Sequence, residues 1–214
     1  MGIMKISKIL MATIVAAGML TSCSESKSEN NEAKPSASGN ATEAVINNIM
    51  TRCSVREFTN RPISKDTLDL VVRAGMAAPS AVNSQPWAFI VVNEKEVLDK
   101  LNAIENRFNL KTATAAIIVC GDMSKALKDK GKDYWVQDCS AATENILLAA
   151  HAYGLGAVWC GVYPGEETVK SVSAALGLPE NIIPLNVITM GYPDDANAKP
   201  KDKFKQDNIH YNKW

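Results

Sequence analysis

The strongest constraint on the fold is a long helical segment, residues 136 to 153, that is apolar on nearly all sides. Its small and aliphatic side chains are Ala141, Ala142, Ile146, Leu147, Ala149 and Ala150. A helix without a polar face is not stable on a surface in water, so this one belongs in the middle of the molecule or in an interface between subunits. Gly154 is expected to end it.

Strand-like and helical segments alternate around this helix. Apolar runs typical of buried strands occupy residues 87 to 92, 115 to 120, 157 to 162 and 185 to 190. The first run is continuous and rich in β-branched residues, which predicts a central strand buried on both faces. Helical patterns begin at the capping residues Thr42 and Ser64, cover residues 94 to 105, and end at Gly177. The alternation predicts an α/β or α+β fold with helices on both faces of a sheet.

The N-terminal residues are typical of an export signal. Lys5 and Lys8 precede a short apolar stretch, and Leu20-Thr21-Ser22-Cys23 resembles a bacterial lipobox. We therefore expect residues 1 to 23 to be a lipoprotein signal, with Cys23 lipidated and anchoring the protein at the cell envelope. An ordinary signal peptide with a chance cysteine is the alternative. Residues 24 to 41 contain almost nothing apolar and predict a disordered tether, which leaves residues 42 to 214 as one domain.

Charge, histidine and cysteine usage exclude several classes of site. The formal net charge is zero and the chain has no basic stripe, so nucleic-acid binding is not expected. The two histidines, His151 and His210, lack the spacing of a metal site. Cys53, Cys120, Cys139 and Cys160 form no CxxC pair, and we expect mostly free thiols.

Two basic segments are candidates for binding a phosphate. Arg52, Ser54 and Arg56 alternate, so in an extended segment their side chains point the same way. Arginine guanidinium groups match phosphate oxygens in charge and geometry, although a solvated basic loop is the alternative. The C-terminal tail repeats the alternation with Lys199, Lys201, Lys203 and Lys205.

A third segment, AAPSAVNSQPWAFIVV at residues 77 to 92, places Pro79, Ser80, Asn83 and Gln85 before a strand. Amide side chains both donate and accept hydrogen bonds, as a planar heterocycle requires. Structural amides at a strand entrance would explain the same residues. No acid, base or nucleophile stands out beside these groups, which favours a protein whose cofactor carries the chemistry.

Together these motifs resemble the nitroreductase family of FMN-dependent oxidoreductases. The similar segments are TRCSVREF, AAPSAVNSQPWAFIVV, QDCSAATENILLAAHAYGLGAVWCGVYP, ALGLPENIIPLNVITMGYP and the closing HYNKW. The resemblance implies an α+β fold with a mainly antiparallel central sheet flanked by helices. It also implies an intertwined homodimer with FMN at the subunit interface, where the apolar helix around Ile146 would form much of the contact.

The resemblance also assigns residues to the cofactor. The FMN phosphate and ribityl end would lie at Arg52, Cys53, Ser54 and Arg56, joined by Lys201 and Lys203 from the tail. Pro79, Ser80, Asn83 and Gln85 would contact the flavin from the other subunit. Cys160, Gly161 and Val162 would border the ring, with a backbone N–H near the reactive nitrogen. Relatives often carry arginine near the C-terminus, where this chain has lysines and Asp202.

The activity implied is ping-pong electron transfer, from NAD(P)H to FMN and then to a nitroaromatic or quinone, with no catalytic side chain. Export complicates this expectation because NAD(P)H is a cytoplasmic electron donor and an exported protein would not meet it. Three hypotheses remain: an oxidoreductase supplied by another envelope donor, a flavin-binding carrier or sensor without turnover, and a structural lipoprotein without cofactor. Retention of Arg52, Ser54, Arg56 and Asn83 argues against the third.

Overall fold

The computed structural model describes residues 39–195 and 197–214. The predicted signal peptide, Cys23 and residues 24–38 of the predicted tether lie outside the described residues. The helices are α1 (Gly39–Thr51), α2 (Lys65–Met76), α3 (Lys95–Ile104), α4 (Tyr134–Ala152) and α5 (Glu166–Leu176). The strands are β1 (Trp87–Val92), β2 (Ala115–Asp122), β3 (Gly156–Gly161) and β4 (Ile182–Gly191). Within the described residues, no helix is both long enough and apolar enough to span a bilayer.

The four strands form one antiparallel sheet in the order β1-β2-β4-β3, which confirms the α+β class with a mainly antiparallel sheet. The prediction that residues 87 to 92 form a central strand is wrong, because β1 lies at the edge and Val91 is exposed. Its apolar sequence resembles that of β2, the strand that is buried along its whole length. Apolar content alone did not distinguish edge from centre.

Helices cover both faces of the sheet, as predicted. α2 and α4 pack on one face and α3 and α5 on the other. α4 lies in the middle of the chain's own fold, with Ala142, Ile146 and Ala150 fully buried. A Cβ at Gly75 would lie 2.8 Å from Cγ1 of Ile146, so this glycine permits the close contact between α2 and α4. Burial of a side chain of the size of Ile146 stabilises the fold by about 1.5–3 kcal/mol.

The helix ends agree with the sequence at three of four positions. The Ser64 side chain accepts a hydrogen bond from the Thr67 N–H at the start of α2. Gly154, with a φ of 72°, follows the end of α4, and Gly177 adopts a left-handed conformation after α5. The predicted start at Thr42 is wrong, because α1 begins at Gly39 and includes the last residues of the predicted tether. The apolar face of α1 is exposed in the single chain and consists of Val45, Ile46, Ile49 and Met50.

Cys53, Cys120, Cys139 and Cys160 are free thiols. Cys120 of β2 and Cys139 of α4 are fully buried, and the Cys139 thiol donates to the Cys120 carbonyl. Burial raises the pKa of each thiol to about 12. Both are therefore protonated at neutral pH and behave as small core residues.

Candidate functional site

The candidate site is a cavity of about 610 Å³ between the segment after α1 and the C-terminal tail. The segment is extended because Ser54 forms a parallel bridge with Ala157 and the Val55 N–H donates to the Ala157 carbonyl. It therefore continues the sheet beyond the free edge of β3. The lining residues are Ile49, Met50, Arg52, Cys53, Ser54, Arg56, Asp195, Asn197, Ala198, Lys199, Lys201, Asp202, Lys203 and Phe204.

The cavity brings together the two basic segments that the family resemblance assigns to one phosphate. Arg52, Ser54 and Arg56 face Lys201 and Lys203 across it, and Cys53 is half-buried between the arginines. The wall carries five basic side chains and two acidic ones, Asp195 and Asp202. This excess of positive charge suits an anion such as a phosphate.

Arg52 is oriented by a neighbour on α4. Its Nε lies 3.4 Å from a carboxylate oxygen of Glu144, and its side chain is largely buried. Arg56 is exposed. The two guanidinium groups therefore differ: one is fixed at the wall, and the other is free to meet a ligand.

The amide segment does not line the cavity. Pro79, Asn83 and Gln85 are exposed, and Ser80 is half-buried, in a loop built around the short 3-10 turn Ala81–Asn83. The Gln85 N–H donates to the Ser80 hydroxyl oxygen at 3.0 Å, and the Gln85 side-chain amide donates to Asn83 Oδ1 at 3.1 Å. The loop therefore presents amide groups at a surface separate from the basic wall of the same chain.

The end of β3 offers backbone rather than side chains. The Cys160 thiol points into the core, where it donates to the Arg107 carbonyl, and burial raises its pKa. The Val162 N–H already donates to the Leu185 carbonyl at 2.9 Å. A Cβ at Gly161 would meet nothing within 4 Å, so open space adjoins the backbone there. Of the three predicted ring contacts, Gly161 is the one whose surroundings leave room for a planar group.

A histidine of α4 contacts the residue that precedes the arginine segment. His151 Nε2 lies 3.0 Å from the Thr51 hydroxyl, at the junction between α1 and the arginine segment. Burial, and secondly the charge of Arg52, lower the pKa of His151 below its usual 6.5. No metal-ligating cluster of histidine, cysteine or carboxylate occurs among the described residues.

Sequence reasoning missed two residues beside these segments. Arg107 donates to the Gly161 carbonyl at 2.9 Å and pairs with Glu105, which places a guanidinium at the end of β3. Asp138 of α4 accepts a hydrogen bond from the Ala81 N–H in the amide loop at 2.8 Å. The signal for Asp138 was present, since a carboxylate in a largely apolar helix requires a partner. Arg107 had no comparable signal because it follows a surface helix.

Comparison with known proteins places these segments in one family pattern. The model of the nitroreductase family matches residues 49–109 and 103–192. A protein of Archaeoglobus fulgidus, described provisionally as an NADH dehydrogenase/NAD(P)H nitroreductase, is 47% identical over 175 residues, covering 80% of this chain and 99% of its own length.

Solved structures give the same picture. A Bacteroides thetaiotaomicron protein with the same provisional description shares 45% identity and superposes with a TM-score of 0.74, covering 80% of this chain and 98% of its own. A provisional nitroreductase of Desulfovibrio desulfuricans, solved in complex with FMN, shares 32% identity with a TM-score of 0.62 over 71% of this chain and 87% of its own.

Proposed function

The chain belongs to the nitroreductase family, and we propose that it is an FMN-dependent oxidoreductase that passes electrons from NAD(P)H to small electron-poor acceptors such as nitroaromatics and quinones. The observation that carries this proposal is the basic cavity at the free edge of β3. A related structure holds FMN, and a related protein is described as using NAD(P)H.

The residues present fit FMN at two points. Arg52, Arg56, Lys201 and Lys203 supply donors and charge for a terminal phosphate. The open space beside Gly161 leaves room for the edge of a planar ring. The dominance of donors over carboxylates in the wall matches a dianionic phosphate rather than a metal or a neutral sugar.

When bound, FMN supplies two-electron transfer between a nicotinamide and an acceptor. The chain's own residues would bind the cofactor and orient it. Glu144 holds Arg52 at the wall, and the backbone tie between Val55 and Ala157 fixes the spacing of the arginine segment from β3. No side chain in the cavity needs to donate or remove a proton for this role.

The proposal includes a homodimer. The apolar face of α1 has no cover in the single chain, with Met50 68% exposed. An interface across α1 would bury it and would bring the amide loop of one subunit toward the basic cavity of the other. The separation of these two surfaces within one chain supports that arrangement.

Export and lipid anchoring at Cys23 stay a prediction from the sequence. We propose that the protein is held at the cell envelope and receives electrons there from NAD(P)H or another donor. Cys23→Ala should release the protein from the membrane fraction in a detergent partition. Unchanged membrane retention would contradict lipidation at this residue.

The test of function is an absorption spectrum of the purified protein with added FMN, followed by anaerobic NADH or NADPH. Bleaching of bound flavin and recovery with a nitroaromatic or quinone are expected. Bound flavin that does not bleach would instead favour a carrier, a sensor or a different donor. Absence of bound flavin would contradict the proposal.

Arg56→Glu places a carboxylate in the phosphate wall and should abolish FMN retention. The matched control is Arg73→Glu, the same charge change at an exposed position on α2. Both variants should keep the wild-type circular dichroism. A yellow Arg56→Glu protein would contradict the assignment of the cavity to the phosphate.

A further inference from the structure

The amide loop has a backbone that is unfavourable by itself. Val82, Asn83 and Gln85 have φ angles of 46°, 57° and 48°. Asparagine tolerates this left-handed region, but a β-branched valine there is a genuine outlier. Such conformations persist only where surrounding groups hold them, and they concentrate at ligand sites.

Asp138 of α4 forms a hydrogen bond to the loop from outside it. Its side chain is 6% exposed on the inner side of α4, and Oδ1 accepts the Ala81 N–H at 2.8 Å. Among the described residues it forms no ion pair, although a buried carboxylate is costly without compensation. Its contact is therefore a charge-assisted hydrogen bond to backbone, which is stronger than a neutral one.

That hydrogen bond controls the direction of two exposed amides. Ala81 is the first residue of the turn, and its neighbour Ser80 accepts the Gln85 N–H. Gln85 in turn donates its side-chain amide to Asn83. A shift at Ala81 therefore propagates to both amide side chains.

We propose that Asp138 is a positioning residue that holds the left-handed loop so that Asn83 and Gln85 face the flavin. This inference rests on the proposed function for its second half, since the flavin is the group that the loop would meet. The first half concerns the loop alone and holds or fails without any ligand.

The first measurement is hydrogen–deuterium exchange of the flavin-free protein. Asp138→Ala should speed exchange at residues 81–85 by about tenfold or more, because the lost hydrogen bond to a charged group leaves the turn free to open. Asp138→Asn retains an oxygen acceptor, so its exchange rate at residues 81–85 should lie between those of the wild type and Asp138→Ala. Gln137→Ala, at an exposed position beside it on α4, should leave the loop unchanged.

The second measurement is FMN affinity. Asp138→Ala should weaken binding by about ten- to hundredfold, the loss expected for one charge-assisted hydrogen bond that fixes a binding loop. Asp138→Asn should recover part of the affinity, and Gln137→Ala should bind as the wild type does. Amides of β2 report global stability and should exchange at wild-type rates in Asp138→Asn, which controls for a variant that is merely unstable.

The outcomes separate the two claims. Unchanged exchange at residues 81–85 in Asp138→Ala overturns the inference, whatever the flavin affinity. Faster exchange with unchanged flavin affinity overturns the role of Asp138 in flavin binding. A wild-type protein that binds no flavin contradicts the proposed function, while the exchange data still decide whether Asp138 holds the loop.

Discussion

The centre of the sheet and the rim of the molecule both carry large apolar side chains, but these are buried at the centre and exposed at the rim. The sheet centre comprises β2 and β4, where Ile117 faces Ile188 and both are fully buried. The rim comprises α1, residues 52–56 and residues 197–214, where Ile46 is 54% and Trp214 97% exposed. The apolar side chains of the centre are covered by their own chain, whereas those of the rim are exposed in the single chain. The cavity and its basic groups lie at the rim, beside these exposed apolar side chains.

Ile188→Ala should produce the largest loss of stability, about 2–5 kcal/mol in the free energy of unfolding, because it leaves a cavity in the sheet centre. Ile46→Ala on α1 is the matched control and should cost less than about 1 kcal/mol in the isolated chain. Urea unfolding followed by circular dichroism measures both. Equal losses would remove the distinction between centre and rim.

Asp122, at the end of β2, should show the next largest effect. Hydrogen bonds, first from the Ser124 side chain, lower the pKa of its carboxyl from 3.8 to about 2. Since the folded-state pKa is depressed, the stabilisation is present above about pH 4 and is lost as the pH falls toward 2. Asp122→Ala should cost about 2 kcal/mol at pH 7. Urea titrations measure the difference in free energy of unfolding between Asp122→Ala and the wild type. A difference that stays constant between pH 7 and pH 3 would show that the lowered pKa of Asp122 is not the source of the stabilisation.

At the rim, replacing Ile46 and Ile49 by serine should change assembly more than folding. Both side chains are exposed in the single chain, so their loss removes few contacts within it. If α1 forms the proposed interface, sedimentation velocity should show the mass of one chain, with circular dichroism retained. Leu70→Ser is a control at another exposed apolar position. A double variant with the wild-type mass would exclude α1 as the interface.

His151, where the rim meets α4, should give the smallest effect. Its pKa is lowered, so the unfolded chain binds the proton more readily and stability falls as the pH drops below 6.5. His151→Gln removes this dependence. The drop in melting temperature between pH 7.5 and pH 5.5 should shrink by roughly 1–2 °C. An identical drop in both proteins would show that His151 does not contribute.

Most elements of the fold were predictable because local signals decide them. Ser64 caps α2, Gly177 ends α5, the period of apolar residues locates α3, and the length of the apolar segment locates α4. Strand order was not predictable from the residues, since β1 and β2 are equally apolar and only long-range pairing puts one at the edge. The exposure of Val45 and Ile46 was also not predictable from the sequence. An apolar helix face predicts burial, but it does not show whether the same chain or another chain covers it.

The candidate site divides in the same way. Alternation of Arg52, Ser54 and Arg56 predicted a shared side, and the family resemblance assigned Lys201 and Lys203 to the same group. All five residues line one cavity. The Cys160 thiol points into the core because side chains alternate along a strand, so any contact of this residue with the ring would come from its backbone. The link from Asp138 to Ala81 depends on two distant segments meeting, and sequence spacing carries no information about that meeting.

The buried thiols of β2 and α4 have a practical consequence. Cys120 and Cys139 are fully buried, and a pKa of about 12 leaves almost no thiolate at neutral pH. An alkylating reagent therefore modifies them only during the moments when the structure opens. Cys53, half-buried at the rim, should react first. The slow alkylation of Cys120 and Cys139 then reports how often the core between β2 and α4 opens. The faster alkylation of Cys53 reports movements of the cavity wall.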